Sequence, residues 1–378
     1  MRAYHHLAGL FLLVLVTFIS NKTQAEPYLA VREGLMCSAC HVNQTGIGMR
    51  TLYGVEFTQS DMPIMETVDM EGVLERDILD FISIGGDVRL ANTTQAPDVG
   101  GVPGAKSTNT FGFNEGNLYA KITIKQDRFY LYVDEAFAPG AARNRELVGI
   151  LEGLPNSGYL KVGRMSLPYG WRLWDFGFTR SQPGFLGQDF GVEIGFEPGT
   201  TSFQAAISNG EPFAITDSNT GKQFTTRLAT VHSKGRFGAS FTFNSDDPTV
   251  GGKRRTFVAG GPHIGVNLGP IAVLGEAHFI RAFDGVKNDF VTRIAAYGEA
   301  NMLLSPGVNG KVAFDYFDPK NGNPTAKRLR IGLEPTITEY MQLRVFYEVM
   351  RPRNFADPLF GLNPNQDLMT LELHMMFQ

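Results

Sequence analysis

From Ile82 to the C-terminus, apolar and polar residues alternate one by one. Ile82, Ile84, Val88 and Leu90 share one side of an extended backbone; Ser83, Asp87 and Arg89 share the other. Leu118, Ala120, Ile122 and Ile124 oppose Asn117, Lys121 and Thr123. Met341, Leu343, Val345, Tyr347 and Val349 oppose Gln342, Arg344 and Glu348. Successive side chains on a strand point to opposite faces, so this period marks strands with one wet and one greasy face. The count is about sixteen such segments.

The connections between them alternate as well. Long ones are expected at 91–115, 166–189, 208–222, 244–253, 281–289, 318–325 and 350–366, and a medium one at 138–144. Short ones fall between them, at 126–127, 155–156, 198–199, 233–235, 268–270, 305–307 and 335–340. Strict long–short alternation is the pattern of an outer-membrane barrel, with long loops outside and short turns in the periplasm. A soluble sandwich or propeller buries only the apolar face and has no need of it. The last segment fits: Met369, Leu371, Leu373, Met375 and Phe377 oppose Thr370, Glu372, His374 and Gln378. The aromatic that usually closes such chains is here penultimate. The fold class expected is therefore all-β, a transmembrane outer-membrane β-barrel of about 16 antiparallel strands over residues 81–378, both termini periplasmic. An abundance of Gly (43) and Phe (29) agrees with that class.

The N-terminus reads as a secretory signal over residues 1–25. Arg2 supplies a positive start, Leu7 to Ile19 an apolar run, and Thr23-Gln24-Ala25 the small residues before a cut at Glu26. The run is too short for a spanning helix, which needs about 20 residues. Net charge is −4, and loss of Arg2 and Lys22 with the signal takes it to −6. An acidic balance gives no reason to expect a nucleic-acid partner.

The only two cysteines lie together, in Cys37-Ser38-Ala39-Cys40-His41. Two thiols at this spacing can form thioethers to the two vinyl groups of one porphyrin, and the adjacent imidazole can reach the iron as axial ligand. A thioredoxin-like disulfide would need a βαβ context, and a zinc site further Cys or His nearby; the next histidine is His232. One motif implies one covalent haem c, held by Cys37 and Cys40 with His41 on the metal. The distal ligand is left open among Met49, Met62, Met65 and Met70, a barrel histidine, or none.

The segment Pro27-Tyr28-Leu29-Ala30-Val31-Arg32, with Cys37 to Gly46, resembles the haem-binding head of fused cytochrome–porins, outer-membrane barrels best known from iron-oxidising bacteria. Gly158 to Arg164 with Leu167-Pro168-Tyr169-Gly170 resembles a strand and loop common in porin-like barrels. Gln44 and Ile47 depart from the head pattern. The resemblance implies a head and linker over 26–80 and passage of electrons across the outer membrane. The partners implied are outer-membrane lipid, periplasmic cytochromes and an extracellular donor or acceptor. The protein would then be an electron carrier rather than an enzyme. A solute porin whose haem segment is a sensor or docking tag is the alternative.

The alternation assigns Lys121, Asp134, Glu276, His278, Arg293, Glu299, Arg328, Arg330, Glu334, Arg344, Glu348, Glu372 and His374 to the lumen, as wall residues or as partners for a head that plugs the barrel. Glu75, Arg76, Asp77 and Asp80 among Val73, Leu74, Ile78, Leu79 and Phe81 fit a short amphipathic helix, with a plain linker packed against the barrel mouth as the favoured alternative.

Overall fold

A closed antiparallel β-barrel of sixteen strands is what the computed structural model shows. It describes residues 26–377 apart from 61, 66–76, 96–106, 174–176, 186, 213, 215, 249–253, 285–288, 321, 323 and 352–366. The proposed signal peptide, Met70 and most of the linker lie outside the described residues. The strands are β1 (Ile82–Gln95), β2 (Thr108–Lys125), β3 (Phe129–Ala138), β4 (Arg143–Leu154), β5 (Gly158–Met165), β6 (Asp189–Phe196), β7 (Thr201–Ser208) and β8 (Gln223–His232). They continue as β9 (Gly235–Pro248), β10 (Arg254–Leu268), β11 (Ile271–Asp284), β12 (Asp289–Ser305), β13 (Val308–Asp318), β14 (Ala326–Thr338), β15 (Met341–Arg351) and β16 (Leu368–Phe377). Each pairs with the next, and β16 closes on β1 from Leu368↔Gln95 to Phe377↔Gly86. Closure leaves no unpaired sheet edge, which a lipid-facing sheet requires.

The faces follow the alternation. Leu118, Val162, Leu228, Phe279, Val312, Ile331 and Leu371 stand on the outer surface, each at least 40 % exposed. That apolar belt is the face such a barrel presents to lipid. The inner face is charged and buried. Lys161 pairs with Glu193 at 2.8 Å, both fully buried, and Arg328 with Asp315 at 2.6 Å. Of the lumen residues assigned above, Asp134, Glu276, His278, Glu299, Glu334, Arg344, Glu372 and His374 are all buried.

Two expectations need correction. The first long connection is shorter than expected, because polar residues carry the β1–β2 ladder on to Gln95↔Thr108. Asn92 and Asn109 exchange side-chain amide bonds of 2.9 Å across it, and cross-strand polar pairs of this kind stabilise a ladder. The linker helix also fails where it is described. Asp77–Leu79 is a short strand that pairs with β1 through Asp77↔Ser83, so its backbone groups are satisfied by the sheet.

β1 begins and β16 ends beside the short turns, since Ile82 pairs with Ile122 near the 126–127 turn and Met375 with Met341. The segment 26–65 lies at that end and inside the barrel. Its first helix, α1 (Pro27–Glu33), starts on a proline and stops at Gly34 in the left-handed conformation, the usual asymmetry of helix ends. Tyr28, Leu29 and Val31 pack against Trp171, Leu274, Tyr297 and Ala313 of the barrel interior. Val42 and Met49 pack against Tyr119, Tyr130, Tyr132 and Ile150.

Candidate functional site

The cysteine motif forms a single helical turn, α2 (Cys37–Cys40), and His41 caps it by donating its N–H to the Cys37 carbonyl at 3.0 Å. Residues three apart on a helix share a face, so both thiols and the following imidazole are presented together. Both cysteines are free thiols. The chain then doubles back: Val42 N–H donates to Met49 O at 2.9 Å, and Thr51 N–H to Cys40 O at 3.0 Å. Helix α3 (Leu52–Ser60) returns over the turn so closely that a Cβ on Gly54 would collide with the Cys40 carbonyl.

Barrel side chains hold this unit on all sides. Glu26 bonds Lys311 at 2.5 Å and Arg344 at 2.7 Å. Asn43 donates to Glu146 at 2.5 Å and accepts from Lys161 at 3.1 Å. Gln44 donates to Glu152 and Tyr130 at 2.5 and 3.1 Å. The Tyr132 hydroxyl accepts from Met49 N–H at 3.0 Å. Near the short turns, Asn267 donates to Arg32 O at 2.7 Å and Ile64 N–H to Thr336 O at 2.9 Å.

From the other end, the connection between β5 and β6 folds inward. Its short helix α4 (Phe178–Ser181) is buried, with Phe178 N–H on Asp315 at 3.1 Å. Trp171 Nε1 donates to Gly275 O at 3.2 Å, and Arg180 clasps the carbonyls of Leu173 and Phe185 at 2.9 and 2.8 Å. Arg172 reaches the head, donating to Thr45 Oγ1 at 3.4 Å.

Between head and wall lies a cavity open to solvent and lined by Cys37, Cys40, His41, Met62, His374 and Met376 among others. It extends from Glu33 and Leu35 on the head to Arg143, at the long-connection end of β4. The donor set fits a c-type haem. Burial, then the positive Arg50, pushes the His41 pKa down to about 3, so its imidazole is neutral, and its Nδ1 is buried without a partner. Burial pushes the Cys40 thiol up to about 11. Burial pushes Cys37 up too, but Arg236 and Arg227 outweigh it and hold that thiol below its usual value.

Among the distal candidates, Met62 is 2 % exposed and lines the cavity. Met49 is buried against the tyrosines of the wall instead, and Met65 is 54 % exposed. His278 is occupied as a wall residue, bonded to Glu276 at 2.5 Å and to the Tyr169 hydroxyl at 3.0 Å. His374 lines the cavity, with Nε2 3.5 Å from Asp87. Sequence reasoning missed Arg227, Arg236 and His263. All three sit at inward positions of strands whose outward residues include Phe224, Leu228, Phe237 and Ile264, so parity alone could have placed them.

No family model matches the chain, and no curated protein matches it in sequence. Solved structures do. Outer-membrane expressed OmpT of Vibrio cholerae superposes with a TM-score of 0.58 at 12% identity, covering 80% of this chain and 100% of that one. The outer membrane channel DcaP of Acinetobacter baumannii gives 0.58 at 13%, covering 78% and 97%. An anion-selective porin from Comamonas acidovorans gives 0.59 at 12%, covering 78% and 99%. At such identities the likeness is one of fold: this chain has the barrel of outer-membrane porins and channels.

Proposed function

We propose that this barrel carries one covalent haem c inside its lumen and passes electrons across or at the outer membrane, with extracellular iron one candidate donor or acceptor. One observation carries the reading: Cys37, Cys40 and His41 face a single cavity enclosed by the barrel wall. Each thiol would attach by adding its S–H across a vinyl group, the proton going to the second vinyl carbon, with no oxidant required. His41, neutral and with a bare ring nitrogen, would ligate the iron, and a second axial ligand would come from Met62, His374 or Met376 on the same cavity. A haem so held supplies a one-electron centre. The chain's own part is to fix it within the wall. One haem does not bridge a membrane about 40 Å thick, so periplasmic cytochromes on the short-turn side would complete the path.

A solute porin with a haem-bearing sensor or docking segment is the second reading. The likeness to porins and channels favours it. The position of the head weighs the other way, because residues 26–65 occupy the space through which solutes would pass.

The test is direct. Protein purified from the outer membrane should retain a haem peroxidase stain in a denaturing gel, lost in Cys37→Ala or Cys40→Ala while the barrel still assembles. The stained protein in liposomes should then be reduced by external Fe(II). A stain that survives both substitutions overturns the attachment; stained protein that no donor reduces, together with solute flux through the intact protein, moves the porin reading ahead.

A further inference from the structure

The cavity beside the cysteines is lined by nine arginines and four carboxylates. Most guanidiniums elsewhere on the inner wall are neutralised: Arg328 by Asp315, Arg330 by Glu348, Arg344 by Glu26 and Glu372. Arg227 of β8 and Arg236 of β9 differ. They are 3 % and 2 % exposed, and the Nε of each is buried without a hydrogen-bond partner. Neither forms an ion pair with a carboxylate among the described residues. Both instead lie beside Cys37: the Arg236 Nη1 is 3.5 Å from its Sγ, and the charges of both act on that thiol. Arg236 is backed by the Trp171 ring, 5.4 Å away. The carboxylate nearest in character, Glu197, is engaged by Ser38 at 2.5 Å and Ser202 at 3.3 Å. A haem's two propionates would lie at the porphyrin edge opposite the thioethers, away from Cys37, so they would not neutralise this pair.

We infer that Arg227 and Arg236 are the residues that set the reduction potential of the haem site, by placing two buried, uncompensated positive charges at its thioether edge. The inference rests on the attachment proposed above. Reduction of the iron adds one electron and so one negative charge. Fixed positive charge nearby favours the reduced form, and burial weakens the screening that would erase this effect in water. A haem in this cavity is thereby biased toward high potential, suited to accept electrons from a weak reductant. The hydrogen bond from Arg236 to the Cys37 sulfur acts in the same direction by drawing density from the porphyrin substituent.

The experiment is a spectroelectrochemical titration of the purified, haem-bearing full chain in detergent. Arg227→Gln and Arg236→Gln should each shift the midpoint to lower potential, and the double variant further. Arg227→Lys and Arg236→Lys, which keep the charge, should stay near the parent. Ser240 lies directly across the ladder from Arg227, so Ser240→Asp supplies a neutralising carboxylate without removing either arginine; it too should lower the midpoint. This variant keeps the test open if a Gln variant does not assemble. Midpoints unchanged in Ser240→Asp and the Gln variants, or Lys variants shifted as far as Gln, overturn the inference. A parent protein with no haem stain overturns the attachment itself and is told apart before any titration.

Discussion

The Glu26 carboxylate lies 2.5 Å from the Lys311 ammonium, which joins the start of the head to strand β13 on the inner wall. Lys311 also faces Glu334 at 3.2 Å, and Arg344 approaches Glu26 from β15 at 2.7 Å. Burial pushes the Glu26 pKa up, but Lys311 and Arg344 outweigh it and hold the carboxyl below its usual value.

Docking of the head should therefore weaken in acid. A depressed folded pKa means that the stabilisation is complete above the ordinary carboxylate value, about 4.3, and is lost as pH falls through the lower folded value. Glu26→Gln should cost about 1.5–3 kcal/mol at neutral pH, the range for hydrogen bonds to charged groups. The gap between the two proteins should narrow as pH drops below 4.3 or so. Thermal unfolding followed across pH 3–7 checks it; a gap that does not change with pH refutes the pairing.

Gly48 has a φ of +75°, and a Cβ there would run into the Tyr132 hydroxyl. That hydroxyl is the acceptor for Met49 N–H. Gly48→Ala should lose about 1–2 kcal/mol from backbone conformation alone and displace the 41–50 loop from β3. Faster protease cleavage within residues 41–50 is the expected sign, and wild-type resistance would show that the loop does not rest on Tyr132.

Deleting residues 26–65 behind an intact leader should raise single-channel conductance severalfold. The inward connection, tied by Trp171 and Arg180, stays in place and still limits the opening. If full-length and truncated proteins conduct alike, the head does not fill the lumen in the membrane.

His41→Ala should retain the thioether-bound porphyrin but alter the Soret and Q bands of the reduced protein. An unchanged reduced spectrum would assign the proximal position to another residue.

How much of this was legible in the sequence depends on the range of the interaction. Parity along each strand placed Asp134, Glu276 and Arg344 inward because alternation is a property of neighbouring residues. The expected connection at 166–189 fits the interval from Met165 to Asp189, because glycine, proline and polar clusters interrupt the alternation locally. The docking of the head was not legible in the same way: Glu26 and Lys311 are 285 residues apart. One hint was present in β3, where Phe129, Leu131 and Val133 alternate with Tyr130 and Tyr132, so that both faces are apolar or aromatic. A strand covered on both sides reads like that, and what covers its inner face is Val42 and Met49. Arg227 and Arg236 were readable as inward residues, but their lack of carboxylate partners depends on every strand around them.

A peptide enclosed by a closed sheet ties together strands that are not neighbours in the wall. Arg50 reaches Met376 on the last strand at 3.1 Å, while Tyr130 on the third donates to the Val42 carbonyl at 3.1 Å. The seam between the first and last strands thus lies over the same segment that the third strand holds. The segment therefore acts as an inner strut: β3, β13 and β16, which do not pair with one another, each bond it.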